Sequence, residues 1–233
     1  MSPLFISCQE GHTEIVNTLL NNKADIDTCM DNGASPLFMS CQEGHTEIVN
    51  ILLNNKADIN KCTDNGTSPL YISCQNGHTE IVNILLNNKA DINKCMDDGA
   101  SPLFISCQEG HTEIVNILLN NKADINKCRV TGASPLFISC QEGHTEIVNI
   151  LLNNKADINK CTDDGTSPLF ISCQEGHIEI VNILLNNKAD IYKCTDDGTS
   201  PLFISCQEGH IEIVNILLNN KADIYKCMDD GAS

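Results

Sequence analysis

The residues best suited to chemistry in this chain are its 14 cysteines and seven histidines, and they recur at fixed spacing. Cys8 with His12, Cys41 with His45 and each later copy stand as C-x3-H. Structural zinc uses close cysteine pairs such as C-x2-C with a second pair nearby, and none occurs here. The spacing therefore favours packing and turn roles over a metal site. A catalytic histidine needs an adjacent nucleophile and an orienting acid. Glu47 lies two residues beyond His45, but the same arrangement returns in every copy, which suits a scaffold better than one evolved pocket. No Walker loop, H-E-x-x-H or G-x-S-x-G is present. Turns such as Asp97-Asp98-Gly99 lack the D-x-D-x-D-G run and the bidentate Glu of a calcium loop. The expectation is a protein with no catalytic residues, no metal and no cofactor.

What positions these residues is a repeat. Ser-Pro-Leu returns at Ser2, Ser35, Ser68, Ser101, Ser134, Ser167 and Ser200, always 33 residues apart, and such a period marks a stacked array. In the copy opening at Ser35, the serine can cap a helix and Pro36 sits at the first helical position, which needs no N–H donor. Leu37, Phe38 and Cys41 fall on one face, Gln42 and Glu43 lie off it, and Gly44 can take the left-handed conformation after about two turns. A second helix begins at His45 or Thr46. It carries Ile48, Val49, Ile51, Leu52 and Leu53 inward and leaves Glu47, Asn50 and Asn54 as a polar stripe. An apolar arc this wide implies burial against more than one neighbour.

Ala57-Asp58-Ile59-Asn60 then leads into Cys62-Thr63-Asp64-Asn65-Gly66, a run of turn formers that predicts a projecting, β-hairpin-like finger. One such unit cannot close a core, so the units must stack. The expected fold is an all-α solenoid of helix–turn–helix units, a single domain over 1–233. Its units span 2–34, 35–67, 68–100, 101–133, 134–166, 167–199 and 200–232, without distinct capping repeats.

Composition agrees with a packed helical array. Hydrophobic residues make up 41%, aromatic residues only 4%, and there is no Trp, so the core must be built from Leu, Ile, Val, Ala and Cys. The net charge of −17 argues against nucleic acid and anionic membrane surfaces as partners and favours basic protein segments. No apolar run approaches the ~20 residues that span a bilayer, and Met1-Ser2-Pro3-Leu4-Phe5 does not read as an export signal. A reducing compartment, cytoplasmic or nuclear, is expected, with free thiols. The second cysteine of each unit (Cys29, Cys62, Cys95, Cys128, Cys161, Cys194, Cys227) should form a ladder. Layers about 10 Å apart would exceed the ~7 Å reach of a disulfide.

Gly66-Thr67-Ser68-Pro69-Leu70, Gly77-His78-Thr79-Glu80-Ile81-Val82 and Leu85-Leu86 through Ala90-Asp91 together resemble the ankyrin repeat, and the resemblance covers the whole chain in seven copies. It implies that the histidines cap structurally between helices and that Cys41 fills a small core position. Three departures stand out. Phe38, Tyr71 and Phe104 replace the usual His after Pro-Leu. Ser40 and Cys41 replace an Ala pair. Lys56 replaces the Gly before Ala-Asp, so a left-handed helix end must fall on Lys or shift to Asn55, with mild strain. The resemblance also places Asn60, Asn93, Asn126 and Asn159 where some family members are hydroxylated, with Tyr192 and Tyr225 substituted later.

The family docks protein partners on its fingers and on the concave side of its first helices. On the fingers this implies Asp31, Asp64, Asn65, Asp97, Asp98, Asp163, Asp164, Asp196 and Asp197, with Asp229 and Asp230 in the last. On the helix side it implies Glu10, Glu43, Asn76, Glu109, Glu142, Glu175 and Glu208. Two acidic ladders are expected. One finger differs, since Arg129-Val130-Thr131 replaces acids with a cation, either as a recognition anchor or as drift in a tolerant loop. The function expected is a non-enzymatic protein-interaction scaffold, with a passive spacer as the rival. Ile15, Val16 and Leu19 in the first unit and Ile213, Val214 and Leu217 in the last follow the internal pattern. Open apolar ends and head-to-tail self-association are therefore expected.

Overall fold

The computed structural model describes residues 2–224. Among these, the chain forms fourteen α-helices in alternating lengths of seven and nine residues, and no strand. The short helices are α1 (Pro3–Gln9), α3 (Pro36–Gln42), α5 (Pro69–Gln75), α7 (Pro102–Gln108), α9 (Pro135–Gln141), α11 (Pro168–Gln174) and α13 (Pro201–Gln207). The long ones are α2 (Thr13–Asn21), α4 (Thr46–Asn54), α6 (Thr79–Asn87), α8 (Thr112–Asn120), α10 (Thr145–Asn153), α12 (Ile178–Asn186) and α14 (Ile211–Asn219). The chain divides into two compact units, Met1–Asp124 and Ile125–Ser233. In the first, α1, α3, α5 and α7 stack in order, as do α2, α4, α6 and α8. In the second, α9, α11 and α13 form one row and α10, α12 and α14 the other.

Each short helix starts as its sequence dictates. Ser35 is extended (φ −90°, ψ 163°) and its hydroxyl accepts the Phe38 N–H at 3.1 Å, with Pro36 following. The helix is buried along its length from Pro36 to Cys41, more fully than a single apolar face would be. Ser40, the polar substitute for a small residue, is fully buried and donates to the Pro36 carbonyl at 2.9 Å, so its hydroxyl adds no unsatisfied group. Cys41 is fully buried, and burial pushes its thiol up to about 12, partly offset by the Ser73 hydroxyl of the next repeat. Cys74 with Ser106, Cys140 with Ser172 and Cys173 with Ser205 repeat the arrangement. These thiols are neutral core groups.

The second helix is narrower in its apolar arc than the pattern suggests. Ile48, Val49 and Leu52 are buried, whereas Ile51 and Leu53 are only half-buried. They flank the arc, where only the neighbouring long helices can cover them. The helix then ends on Lys56. Its φ is 71°, its N–H bonds the Leu53 carbonyl at 3.0 Å, and the next N–H, of Ala57, reaches back to Leu52 at 3.0 Å. This double return is the Schellman arrangement, which normally places Gly at the left-handed position. All seven equivalent lysines have φ between 64° and 71°, while Asn55 keeps an ordinary φ of −89°. The strain therefore falls on Lys, not Asn.

At the outer repeats, Val16, Ile213 and Leu217 are buried, Leu19 and Val214 are half-buried, and Ile15 is 49% exposed. Ile6 in the first repeat and Ile211, Leu218 and Ile224 in the last are exposed as well, so apolar surface lies open at both outer repeats. Tyr225, Cys227, Asp229 and Asp230 lie outside the described residues.

Candidate functional site

The fingers are hairpin turns closed by two backbone hydrogen bonds. In one, the Thr63 N–H reaches the Thr67 carbonyl at 3.0 Å and the Gly66 N–H reaches the Thr63 carbonyl at 2.9 Å. Gly66 has φ 82°, and a Cβ there would come within 3.0 Å of the Asp97 nitrogen in the next finger, so only glycine fits. Fingers are tied to one another through backbone. Asp64 N–H donates to the Asn32 carbonyl at 3.0 Å and Asp97 N–H to the Asn65 carbonyl at 3.1 Å. In the second unit, Asp163 N–H donates to Thr131 at 3.0 Å and Asp196 N–H to Asp164 at 2.9 Å.

This arrangement separates the acidic finger residues into two kinds. Asp31, Asp64, Asp97, Asp163 and Asp196 are exposed at the first tip position. The residues after them fold back on their own turn. Asn65 accepts the Thr67 N–H at 3.3 Å, and Asp98 accepts the Ala100 N–H at 2.9 Å. Asp164 accepts the Thr166 N–H at 3.2 Å, and Asp197 the Thr199 N–H at 3.1 Å. Hydroxyls from Thr162 and Thr166 hold the Asp164 carboxyl below the usual carboxylate range, and Thr195 with Thr199 does the same for Asp197. These second-position acids are turn-holding groups as well as surface charges.

Arg129 is half-buried in the position that Met30, Met96, Thr63 or Thr162 takes elsewhere, and its backbone closes the same turn, with Gly132 N–H on its carbonyl at 3.0 Å. What projects is Val130, 65% exposed, together with the exposed Thr131.

On the helix side, Glu43, Glu109, Glu142, Glu175 and Glu208 are the exposed residues that end the short helices. The preceding Gln amide donates to each carboxylate, as Gln42 does to Glu43 at 2.9 Å. Asn76 faces elsewhere, since its amide donates to the Gln42 carbonyl of the preceding repeat at 2.9 Å.

The second unit brings several of the expected residues together around two adjoining cavities. One, of 510 Å³, is lined by Val130, Thr131, Asp163 and Asp164 over Phe137, Ile171 and Gln174. The other, of 540 Å³, is lined by Asp164, Asp196 and Asp197 over Phe170, Phe203, Gln174 and Gln207. They share Asp164, Thr166 and Gln174, and neither lining contains Lys or Arg. The phenylalanines are those that replace the family's usual histidine after Pro-Leu. Glu142, Glu175 and Glu208 line neither cavity.

Two recurring groups do structural work that spacing alone did not specify. Histidine Nε2 bonds a Gln carbonyl of the preceding repeat: His45 to Gln9 at 2.9 Å, His78 to Gln42 and His111 to Gln75 at 3.0 Å, and His177 to Gln141 and His210 to Gln174 at 3.0 Å. A carbonyl can only accept, so Nε2 carries the proton. The Asn of Ala-Asp-Ile-Asn accepts the Asp N–H of the next repeat: Asn60 from Asp91 at 2.9 Å, Asn93 from Asp124 and Asn126 from Asp157 at 3.0 Å, Asn159 from Asp190 at 2.9 Å. The recurrence of Asn every 33 residues was the signal for it. The thirteen cysteines from Cys8 to Cys206 form no disulfide. Among the described residues, no three His, Cys, Asp or Glu converge as metal ligands, and no helix is long and apolar enough to cross a membrane.

The sequence profile of ankyrin repeats, in three-copy form, matches at 4–96, 53–129, 89–162 and 136–227. The chain belongs to the ankyrin-repeat family. Among solved structures, the crystal structure of the human ASB11 ankyrin repeat domain is similar, at TM-score 0.85 and 25% identity over 96% of this chain and 99% of that one. No curated protein matches the chain in sequence. Domains of this type generally serve protein–protein interaction.

Proposed function

We propose that the chain is a non-enzymatic interaction scaffold of the cytosol or nucleus that binds basic protein segments along its acidic fingers and the adjoining ends of its short helices. The observation that carries this reading is the exposure of Asp31, Asp64, Asp97, Asp163 and Asp196 at the finger tips and of the helix-ending glutamates, in a chain of net charge −17. Such a field steers and retains cationic partners and weakens with salt. The neutral, buried thiols and the carbonyl-bound histidines are committed to packing, which supports a binding role over chemistry. Capture of partners by the full chain at low and moderate salt tests it. Glu109→Lys, Glu142→Lys and Asp163→Lys, introduced together, should abolish capture while helical circular dichroism is unchanged. Asp164, which holds its own finger, is left intact. Undiminished capture by this variant would move the interface elsewhere.

A further inference from the structure

Resting on that reading, we infer that the two adjoining cavities of the second unit take a polyproline-II segment carrying Lys or Arg at positions three residues apart. Each cavity has an apolar floor, Phe137 and Ile171 in one and Phe170 and Phe203 in the other. Each is walled by finger carboxylates and lined by no cation. An aliphatic stem lying on a phenylalanine with its charged head among carboxylates is the mode in which a long basic side chain fits such a site. The cavities lie one repeat apart, so their pitch is that of packed helices, about 8–10 Å. A polyproline-II segment returns to the same side every third residue, a rise of about 9.3 Å. An extended strand instead aims its third residue to the opposite face and repeats at about 6.7 Å. An α-helix returns to the same side at seven-residue spacing, about 10.5 Å and beyond that pitch, and presents a body about 10–12 Å across.

The test is fluorescence anisotropy of the full chain with labelled synthetic peptides of a proline background. One peptide has two lysines three residues apart, and the other has two lysines two residues apart. The three-residue peptide should bind about tenfold more tightly, and Asp163→Lys with Asp196→Lys should weaken it by about tenfold or more. Gln174→Lys, a single change at one of the three residues shared by both cavities, should weaken it similarly and serves if the double variant misfolds. Equal binding of both peptides, lost in the variants, would overturn the spacing and leave the acidic surface standing. Binding of the three-residue peptide that survives Gln174→Lys would overturn the groove as its seat. Binding of neither peptide would overturn both this inference and the basic-partner reading on which it rests.

Discussion

The seams between repeats and the fingers that project from them use the same bond, N–H to carbonyl oxygen or amide oxygen, but supply it from different parts of the chain. At the seams a side chain provides one partner: His111 Nε2 on the Gln75 carbonyl, or Asn93 Oδ1 under the Asp124 N–H. At the fingers both partners are backbone, as in Asp163 N–H on the Thr131 carbonyl. A side-chain bond requires a suitable donor or acceptor group at that position, whereas a backbone bond is indifferent to residue type. The histidine is accordingly identical in all seven repeats, while the finger residue whose carbonyl accepts is Asn32, Asn65, Thr131 or Asp164. Where the seam residue changes to another side-chain acceptor the bond is kept, as Asp27 accepts the Asp58 N–H at 3.0 Å; where Tyr192 replaces the Asn, its hydroxyl instead donates to the Lys221 carbonyl at 3.1 Å. The fold thus leaves the finger positions free to vary, while the seams hold register.

Removing a seam side chain should have the largest effect. His111→Ala strands the Gln75 carbonyl in a half-buried position, and the loss should be about 1–3 kcal/mol, read as a lower denaturation midpoint with faster hydrogen exchange in α5 and α7. A midpoint equal to the parent's would mean that water replaces the imidazole at no cost. The next contrast pairs one residue from each region. Asn93→Ala removes a seam bond and should cost ~1 kcal/mol, whereas Thr131→Ala keeps the finger carbonyl and should stay within about 0.5 kcal/mol. Comparable losses from the two would erase the distinction. The smallest effect is a gain. Lys89 sits at φ 70°, and Lys89→Gly should stabilise by about 0.5–1 kcal/mol, the relief of left-handed strain less the added freedom of the unfolded glycine. A lower melting midpoint would show that the lysine side chain contributes more than its backbone costs.

The same division explains what could be read in advance. Helix starts at Ser-Pro, helix ends at Gly44 and its equivalents, and the finger turns were legible because each depends on residues within four or five positions. The acidic tips were legible as a charge pattern. Which acids hold turns was not, because Asp164 and Asp197 differ from Asp163 and Asp196 only in facing the threonines of their own hairpin. The change of charge at Arg129-Val130-Thr131 was legible too, but not that Arg129 is half-buried while Val130 is exposed.

By itself, then, the sequence determined the period, the two helices and turn of each repeat, the family, and the sign of the surface charge, since all of these are local or additive properties. The partner of each recurring His and Asn depends on which carbonyl or N–H the neighbouring repeat presents at hydrogen-bond distance. The choice of Lys56 over Asn55 as the strained residue depends on where Leu52 and Leu53 leave their carbonyls. The joining of Phe170, Asp164 and Asp196 around one cavity depends on two repeats being packed side by side. The Lys56 turn is local, and the sequence left it open only because neither Lys nor Asn is the glycine such a turn prefers. The His, Asn and cavity arrangements were settled only by tertiary structure, because each is a distance between groups about 30 residues apart in the chain, and no local rule of sequence fixes such a distance.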